Sequence, residues 1–417
     1  MQASFDTQTL IIGAGIIGLT IAVEQHLRGE TVVLLDPDGP SSRASYGNAG
    51  YLSPASIFPP ASYVSATGLL RMLLQPSGSL VIRPSHLPRL LPWLMRMLRA
   101  NQPQERENGV KAVASLHRKA VTHYAPLLSA AGAEELIDPK GALAICSTQA
   151  MLDTYEKKAK EQEAHGFSCE TVTRERARTL EPVLGDTFVG GIYFADAARC
   201  TDPGELGARF AAYVTHHGGQ LVRQAATRLR PAPGGGWLVD STERTWKAKR
   251  VVVAAGRWSD SLLTPLGYRV PLASERGYHL MLPTPGLSLQ RPIIFADGFF
   301  TATTMRKGLR LAGTAEFADA DAPMSPKRAW MLYEQAKQHL PELNAANAVP
   351  WMGIRPALPD ARPALGMARE HEGLYYCFGN HYQGMTQAAT CAGLMGALLA
   401  GETPDIDLAP FDLQRFQ

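Results

Sequence analysis

Cysteine is scarce in this 417-residue chain: Cys146, Cys169, Cys200, Cys377 and Cys391 are scattered, and none forms a C-x-x-C pair. That pattern suggests neither a zinc site nor a disulfide framework, so no metal is expected and the thiols are expected reduced, as in a cytoplasmic protein. An excess of one charge is also missing. Lys plus Arg number 41 against 38 Asp plus Glu, and a net charge of +3 gives no argument for nucleic acid. No apolar run reaches the ~18 residues of a membrane-crossing helix. The opening MQASFDTQTL lacks the basic-then-apolar pattern of a secretory leader. Internal repeats and low-complexity tracts are absent. What is left is an ordinary globular composition, 45% hydrophobic and 19% charged, long enough for about two domains.

One absence is local. No Asp or Glu occurs between Asp38 and Glu105, while Arg71, Arg83, Arg89, Arg96 and Arg99 do. They interleave with Leu69, Leu70, Met72, Leu73 and Leu74, then with Leu90, Leu91, Trp93, Leu94, Met95, Met97 and Leu98. Short apolar helices with arginine and an interfacial Trp suit a segment lying on a membrane surface. They equally suit a helical cover packed on the protein's own core, its arginines solvated.

The most informative stretch is Thr9 to Asp36. Leu10-Ile11-Ile12 reads as a strand, Gly13, Gly15 and Gly18 follow at G-x-G-x-x-G spacing, a helix runs to about Leu27, and Val32 to Leu35 forms a second strand ending on Asp36. This is a βαβ dinucleotide fingerprint. Gly13 permits the tight turn, Gly15 admits a pyrophosphate to the backbone, and Gly18 lets helix and strand pack closely. The helix N-terminus, with the Ile16 and Ile17 amides, offers donors and a positive dipole end to the diphosphate. Asp36 lies close to the ~20 residues past the glycines expected of a ribose-binding acid. The polar loop from Pro37 to Gly50 is placed to run along the rest of the dinucleotide, with Ser42, Arg43, Ser45 and Asn48 as its hydrogen-bonding groups.

Downstream, Gly109 to Ala131 reads as helical, and Ile137 to Ser147 as a strand pair turned at Pro139-Lys140-Gly141. Asp202 and Pro203 have the pattern of an N-cap and first helical residue, for a helix ending at Gly218-Gly219. Val251-Val252-Val253 reads as a buried parallel strand. Its small-residue exit, Ala254-Ala255-Gly256, lets a cofactor lie close, and Trp258 starts the next element. Residues 263–349 are rich in strand signals, with a helix near Pro326 to Leu340. The last segment is a strand, Leu374 to Phe378, a loop and a long small-residue helix from Gly384.

Taken in order, GAGIIG with Asp36, SYGNAGYLSP, VVVAAGRWS, ERGYHL, LAGTAEF, GIRPALPDARPALG and GNHYQGMT resemble the D-amino-acid oxidase superfamily. Within it the chain looks most like bacterial D-amino acid dehydrogenases and their D-proline and D-hydroxyproline dehydrogenase kin. Ser45-Tyr46-Gly47-Asn48 departs from the Phe-Ala that commonly precedes this Asn. The resemblance implies an α/β fold: a Rossmann-like FAD-binding domain of GR2 type (residues 1–60, 201–262 and 350–417) interleaved with a sheet-rich α+β substrate domain (61–200 and 263–349). It implies noncovalent FAD held by the fingerprint residues, by Pro37, Ala49 and Gly50, by Ala255, Gly256 and Trp258, by Gly353 and Arg355, and by Asn380, His381, Gly384, Met385 and Thr386. The helix starting at Gly384 is expected to aim its positive end at the flavin pyrimidine edge.

In the same way the resemblance places Arg355 opposite a substrate carboxylate, which an arginine clamps with two parallel hydrogen bonds. The bland alternative is a buried ion pair, with Asp360 as the partner considered. Tyr278, His279 and Tyr51 are expected on the substrate side, and Glu316 is expected to be structural. The implied reaction is oxidation of a D-amino or cyclic imino acid by hydride transfer from Cα to flavin N5. The imine then hydrolyses to a 2-oxo acid and ammonia, and the electrons pass to a quinone or respiratory acceptor. No protein base is required at the carbon. Two other readings stay open: an oxygen-using glycine- or sarcosine-type amine oxidase, and a flavin-carrying subunit of a larger complex. The expected location is cytoplasmic, peripheral on the inner face of the cell membrane. The oligomeric state is not legible.

Overall fold

The structure is a computed structural model that describes residues 5–59, 62 and 78–417. The apolar stretch at 69–74, with Arg71, lies outside the described residues.

The fingerprint forms as expected: β1 (Thr7–Ile12), α1 (Ile16–Leu27) and β2 (Val32–Leu35), with β1 and β2 parallel. On its other side β1 pairs in parallel with β3 (Thr245–Val253). Gln220–Val222 extends the sheet beyond β2, and the end of β3 pairs in parallel with β7 (Leu374–Phe378). Antiparallel strands at Trp237–Ser241, Ala226–Pro231 and Ala364–Met367 complete eight. Both faces are covered, as a parallel sheet requires. Ile11, Leu34 and Val252 pack on the helical side, with α1, α3 (Pro103–His117) and α4 (Gly384–Ala400). Leu10, Ile12, Val33, Leu35, Val251 and Val253 face a second core built on Trp237, Tyr376 and Phe378.

A second, nine-stranded sheet is mostly antiparallel. At one end of it, β4 (Ala273–Leu282) lies between β5 (Gly308–Phe317) and the edge strand β6 (Val349–Ala357). Residues 350–357, grouped from the sequence with the cofactor domain, therefore hydrogen-bond along the second sheet, and the chain rejoins the first only at Ala364. The helices at 103–131, grouped with the substrate domain, pack into the same core as α1 and α4.

Two local expectations change. The stretch from Gly109 to Ala131 is not one helix: α3 ends at His117 and a second helix starts at Tyr124. Ile137–Asp138 and Ala142–Cys146 are both strands but do not pair with each other. The first joins Ala198–Cys200 in a small three-stranded sheet, and the second enters the large sheet between Gly190–Phe194 and Ile293–Phe295. The helix Pro203–His216 is capped by the Asp202 carboxylate, which accepts from the amides of Gly204 and Glu205.

The arginine-rich stretch contributes α2 (Leu87–Ala100). Leu90, Trp93 and Met97 pack onto Ala273, Phe317 and Ala357. Trp93 is thus not interfacial: it is buried, and its indole N–H donates to the Ala357 carbonyl at 3.0 Å. The opposite face leaves Leu87, Leu91, Met95 and Leu98 between 45% and 56% exposed. Among the described residues no helix is long and apolar enough to cross a membrane.

Candidate active site

A cavity of about 850 Å³ opens at the carboxyl ends of β1, β2 and β3 and runs to β6 and the start of α4. This is where open α/β sheets bind ligands. Two glycines of the fingerprint have no room for side chains. A Cβ on Gly13 would fall 2.4 Å from the Ala254 carbonyl oxygen, and one on Gly18 1.9 Å from that of Gly13. Gly18 accordingly packs helix against strand and does not line the cavity, whereas Gly13, Gly15, Ile16 and Ile17 do.

The Asp36 carboxylate accepts from the Ala14 amide (2.8 Å) through one oxygen and from the amides of Asp38 and Gly39 (2.9 and 3.0 Å) through the other. An ionised carboxylate has about four acceptor positions, so capacity for a ribose hydroxyl is left. The Ser45 hydroxyl accepts from the Ile16 amide at 2.9 Å and so takes one of the helix-end donors itself. The rest of that turn is left to an anion. Pro37, Ser42, Arg43, Asn48, Ala255, Gly256 and Trp258 also line the cavity. The Arg43 guanidinium pairs with Asp38 at 2.6 Å and lies over the Trp258 ring. Gly353, Asn380, His381, Gly384 and Met385 line the far end. Ala49, Gly50 and Thr386 do not reach the cavity: the Gly50 amide donates to the Asn48 side chain, and the Thr386 hydroxyl accepts from the Ser53 amide.

The loop at 43–50 is clamped from beneath by Arg310, which the sequence reading left out, and by His279, which it placed on the substrate side. Arg310, buried and with its pKa lowered by desolvation from the usual guanidinium value, donates from Nη1 to the carbonyls of Tyr46 and Asn48 at 2.8 and 2.6 Å. The His279 Nδ1–H donates to the Gly47 carbonyl at 3.2 Å. Burial, then the nearby Arg310 cation, pushes the His279 imidazole down to about 3, so it is neutral there at working pH. Its ring stacks on Trp351, and a Cβ on Gly47 would fall 1.8 Å from that indole. His279 therefore holds the loop from behind and does not itself line the cavity, contrary to its expected place on the substrate side. Trp351 lies within the WMGIRP stretch, but only the fold shows that it lines the cavity.

Arg355 projects from β6 on the face of the sheet that carries Glu275 and Gly277. Its Nη1 donates to Glu275 Oε1 at 2.5 Å, and a Cβ on Gly277 would fall 2.6 Å from its guanidinium carbon. Among the described residues Nε and Nη2 make no hydrogen bond. Arg355 does not itself line the large cavity, but the second Glu275 oxygen accepts from Nε2 of His381, which does. Burial alone would raise the Glu275 carboxyl; the charges and hydrogen bonds of His381 and Arg355 outweigh it and hold the group at about 2. The ion-pair partner of Arg355 is thus Glu275 and not Asp360, which is taken by Arg362 and Arg415 at 2.9 and 2.8 Å.

Tyr278 is displaced from its expected role. Strand alternation turns it to the opposite face from Gly277 and His279. There it is buried in the core beside Leu280 and Phe300, and its hydroxyl donates to Glu316 Oε2 at 2.5 Å. Glu316 also pairs with Arg276 and Arg83 at 3.0 and 2.8 Å, a structural role. Tyr51 pairs across to Arg199 in the small sheet and packs near Ile57 and Phe194, away from the cavity.

Comparison with known proteins agrees with this architecture. Residues 8–398 match the family model described as FAD dependent oxidoreductase (DAO). A protein of Bradyrhizobium diazoefficiens named D-amino-acid oxidase is 34% identical, over 97% of this chain and 98% of its own length. One of Rhizobium johnstonii named D-amino acid dehydrogenase is 28% identical, over 98% and 100%. Among solved structures, glycine oxidase from Geobacillus kaustophilus superposes with a TM-score of 0.77 at 21% identity, covering 99% of both chains. L-proline dehydrogenase from P. horikoshii gives 0.73 at 16% identity, covering 99% of this chain and 98% of its own. With its fingerprint folded, its cavity at the carboxyl ends of β1, β2 and β3, and nearly its whole length matched, the chain belongs to the DAO family of FAD-dependent oxidoreductases, and its cofactor is FAD.

Proposed function

We propose that the protein oxidises a D-amino acid or D-configured cyclic imino acid, with Arg355 as the carboxylate anchor. The observation that carries this is the state of the Arg355 guanidinium. One nitrogen is spent on Glu275, and the Nε/Nη2 edge is unpaired, seated on a glycine and linked through Glu275 to a cavity-lining histidine. That edge has the geometry of a bidentate carboxylate clamp. The matched relatives named D-amino-acid oxidase and D-amino acid dehydrogenase support the substrate class.

FAD, when bound, takes the hydrogen and electron pair from the substrate α-carbon. The residues of the chain bind and orient: Arg355 fixes the carboxylate, Glu275 and His381 fix Arg355, and Trp351 with the loop at 43–50 walls the cavity. Positioning of this kind supplies much of an enzyme's rate. The imine product hydrolyses to a 2-oxo acid and ammonia; a proline-type substrate gives a cyclic imine.

For the electron acceptor we favour a membrane quinone or respiratory carrier. The exposed Leu87, Leu91, Met95 and Leu98 face of α2, with arginines and no acid on that helix, is suited to an anionic bilayer surface. Dioxygen is the second reading, favoured by the relative named an oxidase. The test is a screen of D- and L-amino acids, prolines included, with a dye acceptor and with oxygen alone. Arg355→Ala is expected to lose at least ~100-fold in kcat/KM, about two charge-assisted hydrogen bonds, while staying yellow. Wild-type kinetics in that variant would remove the anchor, and preference for an L-substrate would remove the stereochemical assignment.

A further inference from the structure

Behind the start of α4 lies a chain of three buried side chains whose hydrogen-bond direction is set at its far end. The His117 Nδ1 lies 2.9 Å from the Pro54 carbonyl oxygen, which only accepts, so the neutral ring carries its proton there. Nε2 is then an acceptor, and the Gln387 amide 2.9 Å away must donate to it. The Gln387 carbonyl oxygen is left to accept, and the Asn380 amide donates to it at 2.8 Å. His117 and Gln387 are fully buried and Asn380 nearly so. The Pro54 carbonyl alone orients every amide in the row. Asn380 Oδ1 is what remains. It has no partner among the described residues, is not sealed off, and belongs to a residue that lines the cavity.

A protonated His117 would reverse the row, since both ring nitrogens would donate. Gln387 would then turn its oxygen to His117, and Asn380 would present its NH2 to the cavity. Burial pushes the His117 imidazole down to about 4, against a small upward push from the Pro54 carbonyl, and no charged side chain contributes. The acceptor state is therefore the working one.

The oxidised flavin ring system has one N–H, at N3, flanked by the two carbonyl acceptors O2 and O4. The N-terminal amides of α4 are donors and suit the acceptors. An acceptor beside them suits the single N–H. We propose that Asn380 Oδ1 accepts the flavin N3–H, and that His117 and Gln387 are positioning residues that keep that oxygen, not the NH2, facing the ring. The proposal uses FAD as cofactor and is independent of the substrate assignment, so the Arg355 experiment and the one below fail separately.

The test is NMR of the holoenzyme loaded with FAD labelled with 15N at N3. In the wild type the N3–H proton is expected downfield and slow to exchange. Asn380→Ala should lose that protection and weaken FAD about 2- to 10-fold, the worth of one hydrogen bond. His117→Phe should exchange faster at N3–H without touching the cavity. Gln387→Glu keeps an acceptor facing Asn380 and should retain the wild-type signal. If His117→Phe does not accumulate, Gln387→Met cuts the row at its middle and carries the same expectation. An N3–H signal unchanged in Asn380→Ala overturns the acceptor assignment. A signal lost in Asn380→Ala but unchanged in His117→Phe or Gln387→Met overturns the positioning role.

Discussion

The Trp351 indole and the His279 imidazole lie face to face, 4.7 Å between ring centres and 12° between planes. The indole edge occupies the space where side chains at Gly47 and Gly353 would be. Trp351 therefore joins the second sheet to the loop that follows β2. Gly47→Ala is expected to displace either the indole or the loop, at about 1–3 kcal/mol of stability, the usual cost of overpacking. Urea denaturation of apoprotein measures the loss, and FAD titration should show weaker binding; an unchanged midpoint and affinity would mean the indole moves freely.

Glu275 is a buried carboxylate between two nitrogen bases, so removing its charge should unsettle both. In Glu275→Gln the Arg355 guanidinium loses its counter-charge while still buried in part. Breaking such a pair costs about 3–5 kcal/mol when one partner remains. A loss near this size is expected in thermal or urea unfolding, with KM for the amino acid rising more than kcat falls. Equal stability in wild type and variant would show that the guanidinium finds other partners.

Acid should weaken the apoprotein in two stages. His117 and His279 have native pKa values of about 4 and about 3 against 6.5 for a free imidazole, in both cases mainly through burial. The unfolded chain binds protons first as pH falls, so the stability these residues contribute is complete above 6.5 and is lost as pH falls toward 4 and then 3. For His117 the shift corresponds to a loss on the order of 3 kcal/mol. Glu275 acts lower, from 4.5 down to about 2. Glu181 opposes the trend: burial raises it to about 6, and its contribution grows as pH falls from 6 to 4.5. Urea midpoints between pH 7.5 and 4.5 should therefore fall, and His279→Gln should make that decline shallower. A decline of the same slope in the variant would contradict the buried-neutral assignment.

The exposed side of α2 makes a separate prediction. Leu91→Gln with Met95→Gln should abolish salt-sensitive co-sedimentation with anionic vesicles while leaving activity with a soluble dye acceptor intact. Absence of binding by the wild type at low salt would remove the membrane reading and favour dioxygen.

Much of the cofactor half was legible because its chemistry is local. The glycine spacing, Asp36 and the small-residue end of β3 each follow from what neighbours in sequence must do, and the Asp202-Pro203 cap forms where its pattern put it. The substrate half was less legible because it depends on which face of a strand a residue takes. Tyr278 and His279 are adjacent, and strand alternation sends one to the core and the other beneath the loop at 43–50. Glu275 gave no signal alone; its role exists only because β4 and β6 align it with Arg355. Asp360 was the nearer acid in sequence, yet the fold hands it to the carboxyl-terminal Arg415.

Through one carboxylate, Glu275 binds a side chain on β6 and another just ahead of α4. The spacing between anchor and cofactor helix is thus set by a bonded bridge within the resting molecule. An acid bound as proposed would dock onto a frame already assembled, with little ordering entropy left to be lost at the moment of capture.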